Sequence, residues 1–242
     1  MESNAKIIKF ILMLTSIVAL GLTGLREATK GRADRNEEIF SKRAVLKAID
    51  SKLEEGKKAA DLSDKEILDV FDKQMKQVVV RTDGSVIDSL VAEDIDMAKE
   101  KKKPEAERNL PLFIFNNNGQ KYYILSVRGN GLWDEIWGNI ALESDLNTIA
   151  GASFDHKGET PGLGAEIKDN PKFPNQFVGK KIYDKAGKYV SILVKKGGAE
   201  KGNPNQVDAI SGATITSRGV TEMLKRGMKY YQSYFEELET TQ

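Results

Sequence analysis

The sequence predicts an α+β fold: a single N-terminal transmembrane helix followed by a mostly antiparallel sheet flanked by helices. Three observations carry this. An uncharged run, Phe10–Leu25, stands near the N-terminus. In the middle of the chain, paired apolar runs are separated by short turn signals of the kind that join antiparallel strands. Helical patterns and strand pairs follow one another without the regular alternation that a parallel sheet requires.

The apolar run defines the first element. Phe10–Leu25 reads FILMLTSIVALGLTGL. Adding Ile7 and Ile8, with Lys9 snorkelling, brings it to the ~20 residues of a bilayer crossing. A cleaved signal peptide is the alternative, with Lys6 and Lys9 as its basic region and Ala19-Leu20-Gly21 as its cleavage site. The run is long for the apolar core of a signal peptide, which favours a retained anchor over residues 1–26. Arg26, Lys30, Arg32, Arg35, Lys42 and Arg43 follow the span, against Lys6 and Lys9 before it. Counted alone, these charges place the large domain in the cytoplasm.

Residues 27–110 read as a helix-rich, membrane-proximal segment. Residues 27–60 form one solvated or stand-off helix, with Ile39, Val45, Leu46, Ile49 and Leu53 among many charges. Ser63-Asp64-Lys65-Glu66 is a capping box that opens a second helix carrying Ile67, Leu68, Phe71 and Met75. Thr82-Asp83-Gly84 marks a hairpin between Gln77–Arg81 and Ser85–Leu90. Ala92–Lys103 is helical in pattern, and its Lys101-Lys102-Lys103 run reads as a solvated face.

Residues 111–242 form the remaining domain. Strands Leu112–Phe115 and Tyr122–Val127 flank the Asn116-Asn117-Asn118-Gly119 turn, and Ile136–Leu142 and Thr148–Phe154 flank Ser144–Asn147. Tyr189–Lys195 is a later strand. Ser217–Leu238 is a long C-terminal helix with Val220, Met223, Leu224, Tyr231 and Phe235 near one face.

Composition narrows the chemistry. The chain has 242 residues, a net charge of +1, one His and no Cys. The balanced charge gives no bulk field to recruit nucleic acid. The absence of Cys removes disulfides, thiolate nucleophiles, iron–sulfur ligation and thiolate zinc sites. The single His156 leaves no basis for a His-based metal cluster or a Ser-His-Asp triad. No catalytic residue and no metal ligand set is expected, so the chemistry belongs to something the protein holds.

Three glycine-rich segments stand out. Arg128–Gly138 sets Trp133 and Trp137 among its glycines between strands; Trp offers a flat face to a planar ligand, and core tryptophans beside a tight turn give the same pattern. Gly158–Glu166 contains Glu159-Thr160-Pro161-Gly162-Leu163-Gly164, a turn whose free backbone N–H groups suit the polar edge of a ring system. Asp208-Ala209-Ile210-Ser211-Gly212-Ala213-Thr214-Ile215-Thr216-Ser217 runs into the long helix. Its four hydroxyls at a helix N-terminus form an anion site, where a simple cap by Thr216 or Ser217 needs only one.

Asp208–Thr214 resembles the flavinylation motif of FMN-binding domains, and the Glu159–Gly164 loop resembles the second signature of that family. The segment Gly131-Leu132-Trp133-Asp134-Glu135-Ile136-Trp137-Gly138, followed by Asn147-Thr148-Ile149, is similar to the C-subunit family of the sodium-translocating NADH:quinone reductases, as is the single anchor. The resemblance covers residues 128–238 well and the anchor loosely. It implies a covalent FMN, esterified through its phosphate to Thr214 by a flavin transferase. Ser211 and Thr216 would serve as phosphate donors within the Asp208–Thr216 segment, with Gly212 and Ala213 small enough to admit the cofactor. Glu159, Thr160, Gly162 and Gly164 would hold the isoalloxazine edge, Trp133 and Leu163 would pack its faces, and Lys195 would lie near the ring or face solvent.

The same resemblance implies an electron-carrying subunit of a multi-subunit complex in the bacterial inner membrane, relaying electrons from NADH toward quinone during Na⁺ export. It places the large domain on the periplasmic side, against the Lys/Arg count. The basic residues after the span are interleaved with Glu27, Asp34, Glu37 and Glu38, and insertion within a complex overrides a statistical rule. Two alternatives share these residues: the G subunit of the ferredoxin:NAD oxidoreductase ion pump, and a membrane-tethered flavin-binding module outside any pump.

Overall fold

The structure is a computed structural model that describes residues 2–53 and 57–241. It divides after Ser41 into two compact units. The first belongs to helix α1, Glu2–Lys47. Within α1 an 18-residue window has a mean hydropathy of 2.1, long and apolar enough to cross a membrane by length and composition. Thr15 and Thr29 donate back to the Ile11 and Leu25 carbonyls, both at 2.9 Å, which satisfies each hydroxyl within the helix. The helix predicted over residues 27–60 is not separate from the span. It is continuous with it and stops at Lys47, with residues 54–56 of that prediction lying outside the described residues.

The second unit is built on a five-stranded antiparallel sheet in the order β1–β2–β3–β4–β5. Its strands are β1 Met75–Val80, β2 Leu110–Asn117, β3 Gln120–Asn130, β4 Glu135–Leu142 and β5 Ile149–His156. Register explains the apolar runs: Val78 pairs Leu112, Leu112 pairs Leu125, and Leu125 pairs Ile140, so these residues line one face. The alternate residues Phe113, Phe115, Tyr122 and Ile124 are buried on the other face. A sheet covered on both sides shows unbroken hydrophobic runs rather than alternation.

The first face is covered by α6, Thr214–Lys229, and α7, Gln232–Thr241. Tyr231 is fully buried, and its hydroxyl donates to the Pro111 and Ser126 carbonyls at 2.9 and 3.0 Å. Burial raises its pKa. These bonds sit where the predicted 217–238 helix breaks in two. The second face is covered by the last turns of α1 and by α2, Asp64–Gln74. Phe71 of α2 meets Phe113 edge-on at 6.0 Å, and the Ser153 hydroxyl donates to the Ala44 carbonyl at 2.9 Å. Val45, Leu46 and Ile49 are buried, so this end of the helix is core rather than a solvated stand-off.

The Asn118-Gly119 hairpin forms as expected, with φ of 50° and 92°. Other local expectations change. Thr82-Asp83-Gly84 turns the chain, with Gly84 at φ 94°, and the expected hairpin is short: Ser85–Ile87 bonds the outer edge of β1 through one bridge, Val80 to Val86, and the Ile87 N–H to the Val79 carbonyl at 2.8 Å, without forming a full strand to Leu90. Of Ala92–Lys103, only Met97–Glu100 is α-helical (α3), after a 3₁₀ turn at Ala92–Asp94. Of Tyr189–Lys195, only Leu193–Lys195 is a strand (β6), and it runs parallel to β7, Gln206–Asp208. Two short helices, α4 Glu166–Asp169 and α5 Lys172–Asn175, stand between β5 and β6.

The capping box at Ser63 is complete: the Ser63 backbone N–H donates to Glu66 Oε2 at 2.9 Å, and the Glu66 N–H returns to Ser63 Oγ. The backbone hydrogen bond from Ser63, its hydroxyl and Lys57 lower the Glu66 pKa from 4.5 to about 2. A depressed carboxyl pKa stabilises the fold above its unfolded value and loses that contribution as pH falls through the folded one. Replacing Ser63 with Ala removes the hydroxyl's share and keeps the backbone N–H bond, so it is expected to lessen, and not abolish, the stability change between pH 4.5 and 2. Urea midpoints measured across that window check this; parallel curves for wild type and variant would show that the Ser63 hydroxyl does not contribute to the lowered pKa.

Candidate functional site

The three glycine-rich segments, distant in sequence, meet at one end of the sheet. The β3–β4 turn carries Leu132 and Trp133, the loop after β5 carries Glu159–Gly164, and the third segment enters α6. Glu159 joins all three. It is 4% exposed, and its carboxylate accepts the Trp133 backbone N–H at 2.9 Å and the Thr216 hydroxyl at 2.5 Å. Its own N–H donates to His156 Nδ1 at 3.1 Å, so His156 is a turn anchor. Packing is tight enough that only glycine fits beside this carboxylate. A Cβ at Gly164 would stand 2.2 Å from Glu159 Oε2, and one at Gly131 would stand 2.4 Å from Oε1.

The helix begins earlier than its hydroxyls suggest. Ala213 is the N-cap, no side chain caps the helix, and Thr214 is its first residue. Thr214 is half-buried, and the N–H groups of this first turn are those a helix leaves without intrahelical partners. The two hydroxyls expected to act as caps are committed inward: Thr216 to Glu159, and Ser217, whose Oγ accepts the Ile210 N–H at 3.2 Å. Thr216 is 1% exposed, which corrects its assignment as a direct phosphate donor. Ser211 and Gly212 are exposed, and Gly212 adopts a φ of 77° beneath Leu163, whose Cδ2 would be 2.6 Å from a Cβ there.

Around this turn, apolar side chains stand in solvent. Trp133 is 69% exposed, Ile215 55%, Leu132 46% and Leu163 41%. Trp133 is therefore not a core tryptophan. Its indole N–H donates to Thr160 Oγ1 at 3.0 Å, fixing the ring over the loop. Ile215 and Leu132 were missed by sequence reasoning; starting the helix at residue 217 hides Ile215 in a loop.

Other expected residues are placed elsewhere. Glu159 faces inward and ties the loops, so it is not free to bond a ring edge. Asp208 Oδ1 accepts the Ala199 N–H at 2.7 Å and pins the turn after β6. Lys195 pairs with Glu200. Lys101 is not part of a solvated face: it donates to the Gly129 carbonyl at 3.3 Å, to Asn130 Oδ1 and to Glu135 Oε1 at 3.1 Å, bracing the Trp133 turn from behind. The Arg128 guanidinium beside Glu135 holds that carboxyl below the usual carboxylate range, with Lys101 adding to the effect.

The arrangement is an uncapped helix N-terminus beside an exposed apolar platform, a surface whose chemistry suits a ligand with both a phosphate and a planar ring. Residues 131–229 match the FMN-binding domain family. The C subunit of the Na(+)-translocating NADH-quinone reductase of Vibrio vulnificus is 34% identical over 86% of this chain and 83% of its own length. That of Pseudomonas aeruginosa is 32% identical over 92% and 90%. The crystal structure of the C subunit from Parabacteroides distasonis aligns with a TM-score of 0.73 at 35% identity, over 85% of this chain and 96% of that one. The Shewanella oneidensis NqrC structure aligns with a TM-score of 0.70 at 31% identity, over 85% and 98%. The chain belongs to the C-subunit family of the Na⁺-translocating NADH:quinone reductases.

Proposed function

We propose that this chain is the electron-carrying subunit of a Na⁺-translocating NADH:quinone reductase, with FMN bound covalently through its phosphate to Thr214. The observation that carries the reading is Thr214 itself, the first residue of a 16-residue helix that no side chain caps. The site's residues fit the group. The first-turn N–H groups and the helix dipole favour a phosphate. Trp133, Leu163 and Ile215, each more than 40% exposed, supply apolar surface for the ring. Bound there, FMN supplies the redox chemistry, and the protein orients and shields it. No acid–base pair is needed for electron transfer, which agrees with one His and no Cys.

Attachment requires an activated donor, a flavin dinucleotide presented by a flavin transferase. The Thr214 Oγ–phosphorus bond forms, the pyrophosphate bond breaks, the nucleoside monophosphate leaves, and the hydroxyl proton passes to the transferase. The ester removes cofactor dissociation, which matters for a domain on the periplasmic side. Residues 1–26 anchor the chain in the inner membrane as a single pass, and FMN is carried by the compact unit that begins at Lys42; the division expected at residue 110 does not hold, because β1 at Met75–Val80 pairs with β2 in the same sheet. The apolar span holds no Asp or Glu, so the sodium path lies in other subunits of the complex.

Membranes lacking this chain are expected to lose Na⁺-stimulated NADH:quinone reductase activity and to regain it with the full chain. Unchanged activity without the chain would refute the assignment. A membrane-impermeant protease added to spheroplasts is expected to digest the region after residue 31; protection until lysis would place the domain in the cytoplasm. Replacing Trp133 with Ala is expected to leave FMN attached but shift its midpoint potential, because packing and solvent access tune a flavin. A titration superimposable on wild type would show that the indole does not reach the ring.

A further inference from the structure

We propose that Glu159 is a positioning residue for flavin attachment. Acting through Thr216 and the Trp133 backbone, it holds the first turn of α6 in register with the two loops, so that the Thr214 hydroxyl is presented outward. The inference rests on the reading of Thr214 as the attachment point and adds a residue that does not touch the reacting atoms.

Three observations support it. A carboxylate is rarely buried to this degree, and what this one meets is two donors from two different segments, 26 and 57 residues away in sequence. Gly131 and Gly164 leave space for the carboxylate where a side chain would collide with it, so the packing is built around it. Thr216 lies two residues after Thr214 in the same first turn, so holding Thr216 inward fixes the direction in which Thr214 points. Hydrogen bonds to a buried carboxylate are stronger than neutral ones. Misplacement of a reacting group by ~1 Å costs as much as 10²-fold in rate.

The test measures the rate at which a flavin transferase loads the full-length chain from a flavin dinucleotide, read as in-gel fluorescence after denaturation, with thermal melting as the control for folding. Glu159→Ala is expected to slow loading by about tenfold or more, the scale of one or more lost bonds to a buried charge. Thr216→Val keeps the side-chain shape, removes one of the two bonds and is expected to slow loading severalfold. The double variant is expected to be no slower than Glu159→Ala. Glu159→Gln can still accept from Trp133 and donate to the Thr216 oxygen, so it is expected to recover most of the rate. Loss as deep in Glu159→Gln as in Glu159→Ala would show that the charge acts directly and would overturn the inference. So would full-rate loading of Thr216→Val, which also decides the matter if Glu159→Ala does not fold. Failure of the underlying reading is distinguishable, because wild type would then take up no covalent flavin.

Discussion

Thr214→Ala is expected to abolish covalent flavin while leaving the domain folded. The fold contacts of this turn are made by Thr216 and Ser217, whose hydroxyls engage Glu159 and the Ile210 N–H. Removing a half-exposed hydroxyl beside them should change stability by no more than about 0.5 kcal/mol. The ester oxygen, by contrast, has no substitute within the helix's first turn, since Thr216 is 1% exposed and its hydroxyl bonds Glu159. Thr214→Ser retains a hydroxyl and is expected to load partially. Ser211→Ala and Thr216→Ala are expected to keep the bond. Fluorescence of the denatured band separates these outcomes: a band surviving in folded Thr214→Ala, with loss in Ser211→Ala, would move the attachment to Ser211.

Gly219→Ala carries the largest expected cost in stability. Gly219 lies where α6 crosses the β3–β4 turn, and a Cβ there would stand 2.2 Å from the Asn130 carbonyl oxygen. That neighbour is backbone, so the helix or the turn must move. Overpacking of this kind costs about 3 kcal/mol, which in a chain of this size lowers the melting temperature by roughly 6–12 °C. The same displacement separates α6 from the Trp133 turn and is expected to reduce flavin loading. Arg218→Ala, an exposed neighbour, is expected to melt within about 1–2 °C of wild type. Equal melting temperatures for Gly219→Ala and wild type would show that the crossing relaxes freely.

What was legible in the sequence follows the range of the interactions. The Ser63 capping box and the Asn118-Gly119 hairpin are made by residues within four positions of one another, and both form as read. The α+β class was legible because paired strand signals survive however strands are ordered. The start of α6 was misread because no local signal marks Ala213 as an N-cap: the turn is set by Glu159, 57 residues away from Thr216. The break before α7 interrupts an unbroken apolar period because the Tyr231 hydroxyl bonds Pro111 and Ser126, far along the chain. The pairing of β1 with β2, some thirty residues on, leaves no mark near β1 itself, whereas the turn at Thr82–Gly84 was legible and forms a short hairpin on the outer edge of β1.

The site was legible in its parts and not in its assembly. Each glycine-rich segment marked close backbone approach, and Trp133 and Leu163 are exposed beside the helix start, consistent with an apolar platform. Spacing alone does not reveal that Glu159 is the inward knot of the cluster, or that Lys101 braces the turn carrying Trp133. Both roles arise from residues that are polar in sequence and buried or paired in the fold.

The central claim is that one FMN is held by one oxygen, and the mass of the chain reads it directly. The full-length protein, purified from membranes that contain a flavin transferase, is expected to weigh more than its sequence by one FMN less one water. Tryptic digestion should place that increment on residues 202–218, the peptide holding Ser211, Thr214, Thr216 and Ser217, and fragmentation should assign it to Thr214. An unmodified mass, or an increment that fragmentation places on any other hydroxyl, would contradict the account.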